Sequence, residues 1–175
     1  MGDSLSVIFA TMVAAILMFM FPMMDTWERQ DDLSYIIAYT AVVNTVDAVR
    51  NTGRLTADMY EDLVSTLNST GNRFDVRLEH RQFTVVGDDA GNPHVVYVNH
   101  YTSEILEHLY PSNPADPSDY REFRVGDYFY ISVKNRNMTQ ATVLKQNIYG
   151  AAMETFKIGV PYGGQVRSEY YDNEL

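Results

Sequence analysis

The stretch SLSVIFATMVAAILMFMFPMM, residues 4–24, carries no charged side chain in 21 positions. At 1.5 Å of rise per residue it makes a helix roughly 30 Å long, the thickness of a bilayer's hydrocarbon core. Lipid offers no water to backbone N–H and C=O groups, so a spanning segment must satisfy them internally, as a helix does. The run therefore predicts a transmembrane helix. A cleaved secretory signal would carry basic residues ahead of a shorter apolar core and a small-x-small site after it, and these marks are missing. A buried core helix is the remaining alternative, at an unusual length for one.

Asp3 is the one charged residue before the run ends, and Asp25, Glu28, Arg29, Asp31 and Asp32 follow it. With no Lys or Arg on the N-terminal side, the positive-inside rule has almost nothing to count. Pro22 deletes one backbone donor and predicts a kink. Met12, Met18, Met20, Met23 and Met24 give the segment a pliable surface suited to packing against many neighbours.

Helical periodicity continues beyond the apolar run. Leu33, Ile36, Ile37, Val43, Val46 and Val49 recur near a 3.6 period, and no Gly or Pro intervenes between Pro22 and Gly53. One helix of about 45 residues is expected, far above the usual ~11–12 of globular proteins. A second amphipathic helix is expected from Thr56, an N-cap type, to Leu67, with Gly71 as its stop. Its apolar face is Met59, Tyr60, Leu63, Val64 and Leu67.

The period then changes to two. Phe74, Val76 and Leu78 alternate with polar residues, and Phe83, Val85 and Val86 follow. GDDAGNP, residues 87–93, reads as a turn, and HVVYV from His94 as the returning strand. Thr102 to Tyr110 predicts a short helix, followed by the Pro-rich loop 111–119. DYFYISV from Asp127 predicts a strand, Thr139 to Ile148 a helix, and TFKIGV from Thr155 a last strand. Pro161, Gly163 and Gly164 read as the opening of a polar tail. The fold class is α+β, a long N-terminal helix followed by a small antiparallel sheet with accessory helices. Three parts are expected: 1–24, a transmembrane or filament-core helix; 25–52, its continuation; and 53–175, an α+β domain outside the cytoplasm.

Composition narrows the function. The chain has 13 Lys and Arg against 23 Asp and Glu, a formal charge of −10, with no basic block. That argues against nucleic acid and anionic lipid as partners. With no cysteine there is no disulfide framework, thiolate zinc site or thiol nucleophile. The four His (80, 94, 100 and 108) show no HExxH or i,i+4 spacing and read as surface or half-buried structural residues. His94 and His100 flank a strand that brings them toward His80 across a hairpin. Asp88, Asp89 and Asn92 occupy a turn without the EF-hand spacing. Paired carboxylates such as Asp31–Asp32 and Glu61–Asp62 fit solvated helix faces. No hydrolase elbow, P-loop or dinucleotide motif occurs. The reading is of a non-enzyme without metal or cofactor. Asn68-Ser-Thr and Asn137-Met-Thr match the N-glycosylation acceptor pattern, which often arises by chance.

The organisation resembles type IV pilins and, more closely, the TadE-like pseudopilins of tight-adherence pili. Gly2 is followed directly by the apolar helix with its Pro22, then by TWERQDDLSYIIAYTAVVNTVDAVRNTGRLTADMYEDLVSTLNSTGNRFDVRLE, residues 26–79. The order is apolar helix, RNTGRLT, amphipathic helix, STGN and strand. VGDYFYISVKNRN and VPYGGQV look similar to the later strands of such proteins. The resemblance implies a pilin-like structural subunit, major or minor. It would sit in the membrane before assembly and be extracted by pilus machinery into a helical homopolymer of its own copies at the cell surface. It also implies an assembly core of Val7, Ile8, Phe9, Met12, Val13, Ile16, Leu17, Phe19, Met20 and Phe21, and a processing site at Gly2 and Asp3. Prepilin signals place Glu five residues after the cleavage-site Gly, and here that position is Val7. A single-pass, monomeric accessory or binding module of the cell envelope is the alternative.

Overall fold

The computed structural model describes residues 2–87, 92–111, 120–150 and 158–168, with the side chains of Asp3 and Tyr149 outside the description. In chain order the elements are α1 (Gly2–Thr52), β1 (Arg54–Thr56), α2 (Ala57–Ser69), β2 (Phe74–Gly87) and β3 (Pro93–Tyr101). They continue with α3 (Thr102–Leu109), β4 (Tyr120–Glu122), β5 (Tyr128–Asn135), α4 (Gln140–Tyr149) and β6 (Gly159–Gln165). The chain is α+β, and its first helix is 51 residues long. Gly53, at φ +72°, ends that helix in the left-handed conformation that costs glycine least, and its N–H bonds Val49 O at 2.8 Å.

Contacts divide the chain into two compact units, residues 1–34 with 138–157, and residues 35–137 with 158–175. The division within α1 falls between Ser34 and Tyr35.

In the first unit, α4 lies along α1 just past the apolar run. Thr139 caps α4 by accepting from Thr142 N, and its hydroxyl donates to Asp31 at 2.6 Å. Lys145 pairs with Glu28 at 2.9 Å, so α4 runs antiparallel to α1. Burial raises the Asp31 carboxyl above its ordinary pKa, against the opposing pull of the Thr139 bond.

The second unit holds the sheet. Its order is β3-β2-β5-β6, all antiparallel, with Leu78 opposite Ile131 and Val133 opposite Val160. A separate two-stranded sheet pairs β1 with β4. One sheet face offers Leu78, Phe129, Ile131, Val133 and Val160 to α1, which presents Ala38, Val42, Val46 and Val49. Each fully buried aliphatic or Phe side chain contributes about 1.5–3 kcal/mol relative to exposure. The buried helix stripe differs from the one periodicity suggests. Leu33, Ile36 and Ile37 are exposed, and Ala38 and Val42 face the sheet instead. Bulk marks a residue as apolar, but close helix–sheet approach favours small and β-branched side chains, so hydropathy selected the wrong side of the first turns. The α2 expectations hold: Thr56 caps it through Met59 N, and Leu63 and Leu67 are buried.

The expected polar tail is corrected. Pro161, Gly163 and Gly164 lie within β6, of which Gly159 and Val160 are also part, while 155–157 fall outside the described residues. The glycines answer close approach on both sheet faces. A Cβ on Gly163 would run into the Tyr130 ring and stand 2.6 Å from Phe129 O, and one on Gly164 would meet Arg50 Cζ at 2.8 Å. Gly163→Ala is therefore expected to lose about 1–3 kcal/mol through overpacking, because the backbone oxygen cannot yield as a side chain can. A fall in thermal midpoint by circular dichroism checks it, and an unchanged midpoint would refute the contact.

Candidate functional site

Two places combine distinctive chemistry with defined geometry. The first is the apolar run itself. All ten expected assembly residues lie on α1; Met20 is half-buried and the other nine are exposed. No residue in the most apolar 18-residue window of the helix is buried. The helix is long and apolar enough to cross a membrane, and helical backbone continues through Pro22. Proline has no N–H to give the preceding turn. Thr26 Oγ1 donates to Pro22 O at 2.9 Å, one turn further on. Gly2 is the first residue of α1, and the Asp3 side chain lies outside the described ones.

The second place is a polar network in the core of the second unit. Turn geometry aims Asp127 inward: Gly126 adopts φ +101° and Asp127 N bonds Arg124 O, turning the chain immediately before β5. The carboxylate then accepts three hydrogen bonds, from Phe83 N at 2.7 Å, Arg124 N at 2.9 Å and His80 Nε2 at 2.9 Å. His80, on β2, is 2% exposed and Asp127 is 1% exposed. Arg121, on β4, donates from Nε to His80 Nδ1 at 3.1 Å. That bond requires the proton to sit on Nε2, so the tautomer is set by the arginine. Phe123 packs on the His80 ring at 4.4 Å between centroids and on Phe129 at 5.0 Å.

Electrostatics follow from this arrangement. Burial pushes His80 below its ordinary pKa, outweighing the attraction of Asp127. Burial alone would raise Asp127, yet the three donors together hold it below the usual carboxylate range. Outside this triad, His100 bridges Glu104 and Gln82, with its ring 5.4 Å from that of His80. The His80–His100 approach expected from the hairpin is thus present, in adjacent strands with the two residues in register. His80 is not at the surface or half-buried, however. Its side chain completes the inward alternation Phe74, Val76, Leu78, His80, a signal available in the sequence. Both imidazole nitrogens are committed to protein partners, so the ring has no lone pair for a metal or a substrate proton. The network ties β2, β4 and the turn before β5 together.

Other sequence candidates do not gather. No group of three or more His, Asp or Glu side chains suited to a metal occurs among the described residues. Asn92 is described, whereas Asp88 and Asp89 fall outside, as does most of the Pro-rich loop. Asn137 spends its side-chain amide on Asn72 and its carbonyl on Arg73 N, which leaves it poorly disposed to accept a glycan. A groove of about 470 Å³ runs between α1 and α2, lined by Ile36, Ile37, Thr40, Met59 and Asp62 among others. The sheet face away from α1 is aromatic: Tyr97 meets Phe83 at 6.1 Å and Tyr128 at 6.4 Å, and Arg81 sits 5.8 Å from the Tyr130 ring centre.

Comparison with known proteins adds no relative: no family model, curated protein or solved structure matches the chain.

Proposed function

We propose that the protein is a structural subunit of an extracellular, type IV-pilus-like filament, held in the membrane by residues 4–24 before assembly and polymerising through that same segment afterwards. The observation that carries this reading is the charge-free apolar helix, unburied over its most apolar 18 residues and continuous with a helix packed on a sheet. An apolar surface of that extent needs either lipid or other apolar helices around it. In lipid the hydrophobic term between helices vanishes, so exchange from membrane to bundle depends on packing quality. The Met-rich composition, with Ala10, Ala14 and Ala15 between larger residues, suits such packing. Repeated head-to-tail contacts that do not close produce a helical polymer.

A second reading, a single-pass anchored accessory or binding module, is favoured by Val7, which stands where the pilin signal would have Glu. Cryo-electron microscopy of sheared cell-surface material, with mass spectrometry of the subunit N-terminus, separates the two. Filaments with residues 4–24 bundled at the centre are the expected result. Recovery only as a monomer in detergent-solubilised membranes would overturn the filament and leave the anchored module.

A further inference from the structure

The two edges of the four-stranded sheet are treated differently. At β6, Pro161 has no N–H to offer, and Arg50 reaches from α1 to donate to Gln165 O at 2.9 Å. These are devices that stop another strand from adding. At the opposite edge, β3 has Pro93 at its first residue and no such device after it. Residues 94–101 hold no Asp, Glu, Lys or Arg, and no other strand pairs with the free side of β3 among the described residues. Val95 and Tyr97 are each 50% exposed, Val98 44% and Tyr101 58%. A long, β-branched and aromatic edge of this kind is a template for strand addition.

The sequence of the edge identifies what fits it. HVVYVNH, residues 94–100, reads almost identically in both directions about Tyr97. His94 mirrors His100 and Val96 mirrors Val98, with Val95 against Asn99 the exception. An antiparallel strand centred on Tyr97 therefore finds its own residue types opposite. Charge points the same way. Two copies of a chain with formal charge −10 repel, and β3 is an edge along which they meet without opposing like charges. Centring on a residue rather than between two keeps both core faces on the same side of the combined sheet, because side chains alternate with period two. Tyr97 then joins the Phe83–Tyr97–Tyr128 aromatic contacts of one copy to those of the other.

We propose that β3 pairs antiparallel with β3 of a second copy of this chain, about a two-fold axis at Tyr97, joining the two sheets edge to edge. The contact is isologous and closes on itself, so it is distinct from open-ended polymerisation of residues 4–24 and stands whether or not they polymerise.

The absence of cysteine makes the test direct. In the full-length protein in detergent, Tyr97→Cys places one thiol per chain on the axis. Directly opposed cross-strand Cα atoms lie about 4.5–5.5 Å apart, inside the range a disulfide spans. Mild oxidation is expected to give covalent dimers at least about tenfold faster than Lys134→Cys, an exposed position on β5 that shares the local concentration but not the axis. Amides 95–99 of the unmodified protein should also gain hydrogen-exchange protection with concentration. Tyr97→Lys should abolish that gain while α2 and β5 remain protected, showing that the fold is intact. Equal oxidation rates for the two cysteine variants would overturn the pairing. So would edge amides whose protection ignores concentration. Edge protection appearing only when an unrelated extended peptide is added would equally overturn it, in favour of a heterologous strand.

Discussion

Replacing Asp127 with Ala is expected to remove about 3–5 kcal/mol of stability, because three hydrogen-bond donors lose their one charged acceptor together. The physical reason is the number of donors that lose their acceptor. Phe83 N, Arg124 N and His80 Nε2 all converge on one carboxylate that is 1% exposed. Each orphaned buried group costs about 1–3 kcal/mol. Domain stabilities are commonly ~5–15 kcal/mol, so the loss consumes a large share. Denaturant unfolding followed by far-ultraviolet circular dichroism measures it. A variant within 1 kcal/mol of wild type, on the order of surface effects, would show that the network braces nothing.

The same pair sets the acid sensitivity. His80 is held below its ordinary 6.5, so between that value and its folded pKa the unfolded chain binds more protons. Stability contributed by the neutral ring is therefore complete above 6.5 and falls as pH drops toward the folded value. Asp127, depressed below 3.8, adds stability that is full above 3.8 and disappears as pH falls through its folded pKa. Both slopes run the same way, and the protein should lose stability in two acid steps. In Asp127→Ala the lower step from that carboxylate is missing.

The other large expected effect is at the membrane. Ala14→Asp combined with Ala15→Asp puts two carboxylates near the middle of the apolar run, at about 2.5–3.5 kcal/mol each on insertion scales. Both alanines are exposed, so nothing is unpacked by the change. The insertion equilibrium should fall by roughly three to five orders of magnitude, at 1.4 kcal/mol per tenfold. Carbonate extraction of membranes reads the outcome directly. Wild type and Ala14→Leu are expected in the pellet and the double Asp variant in the supernatant. Release of all three alike would mean that residues 4–24 do not anchor the chain.

How far the sequence could be read depended on whether the signal was local. The helix over residues 4–52, the Thr56 cap and the β5 strand are each encoded by consecutive residues: a charge-free run with helical periodicity after it, a capping hydroxyl and strict alternation. The glycines of β6 misled, because Gly-Gly after Pro is the composition of a loop, whereas here it makes room for Tyr130 on one face and Arg50 on the other. Those neighbours are 33 and 114 residues away in the chain, so no local pattern points to them. The short β1 and β4 strands carry no local signature for a related reason. Three residues have no measurable period, and their pairing joins positions 54 and 122.

The candidate site divides along the same line. The apolar run declares itself, because membrane partition depends on the summed hydropathy of one contiguous segment and needs no tertiary partner. The His80–Asp127–Arg121 network does not, because its members come from β2, the turn before β5 and β4, and each alone is an ordinary polar residue. By itself the sequence determined the α+β class, the long first helix and the extent of the apolar surface, all additive properties of neighbouring residues. Only the tertiary structure decided which helix face is buried, that His80 is a braced core residue, and that β3 rather than β6 is the open edge. These depend on what lies opposite each side chain and each backbone group, which the folded chain alone specifies.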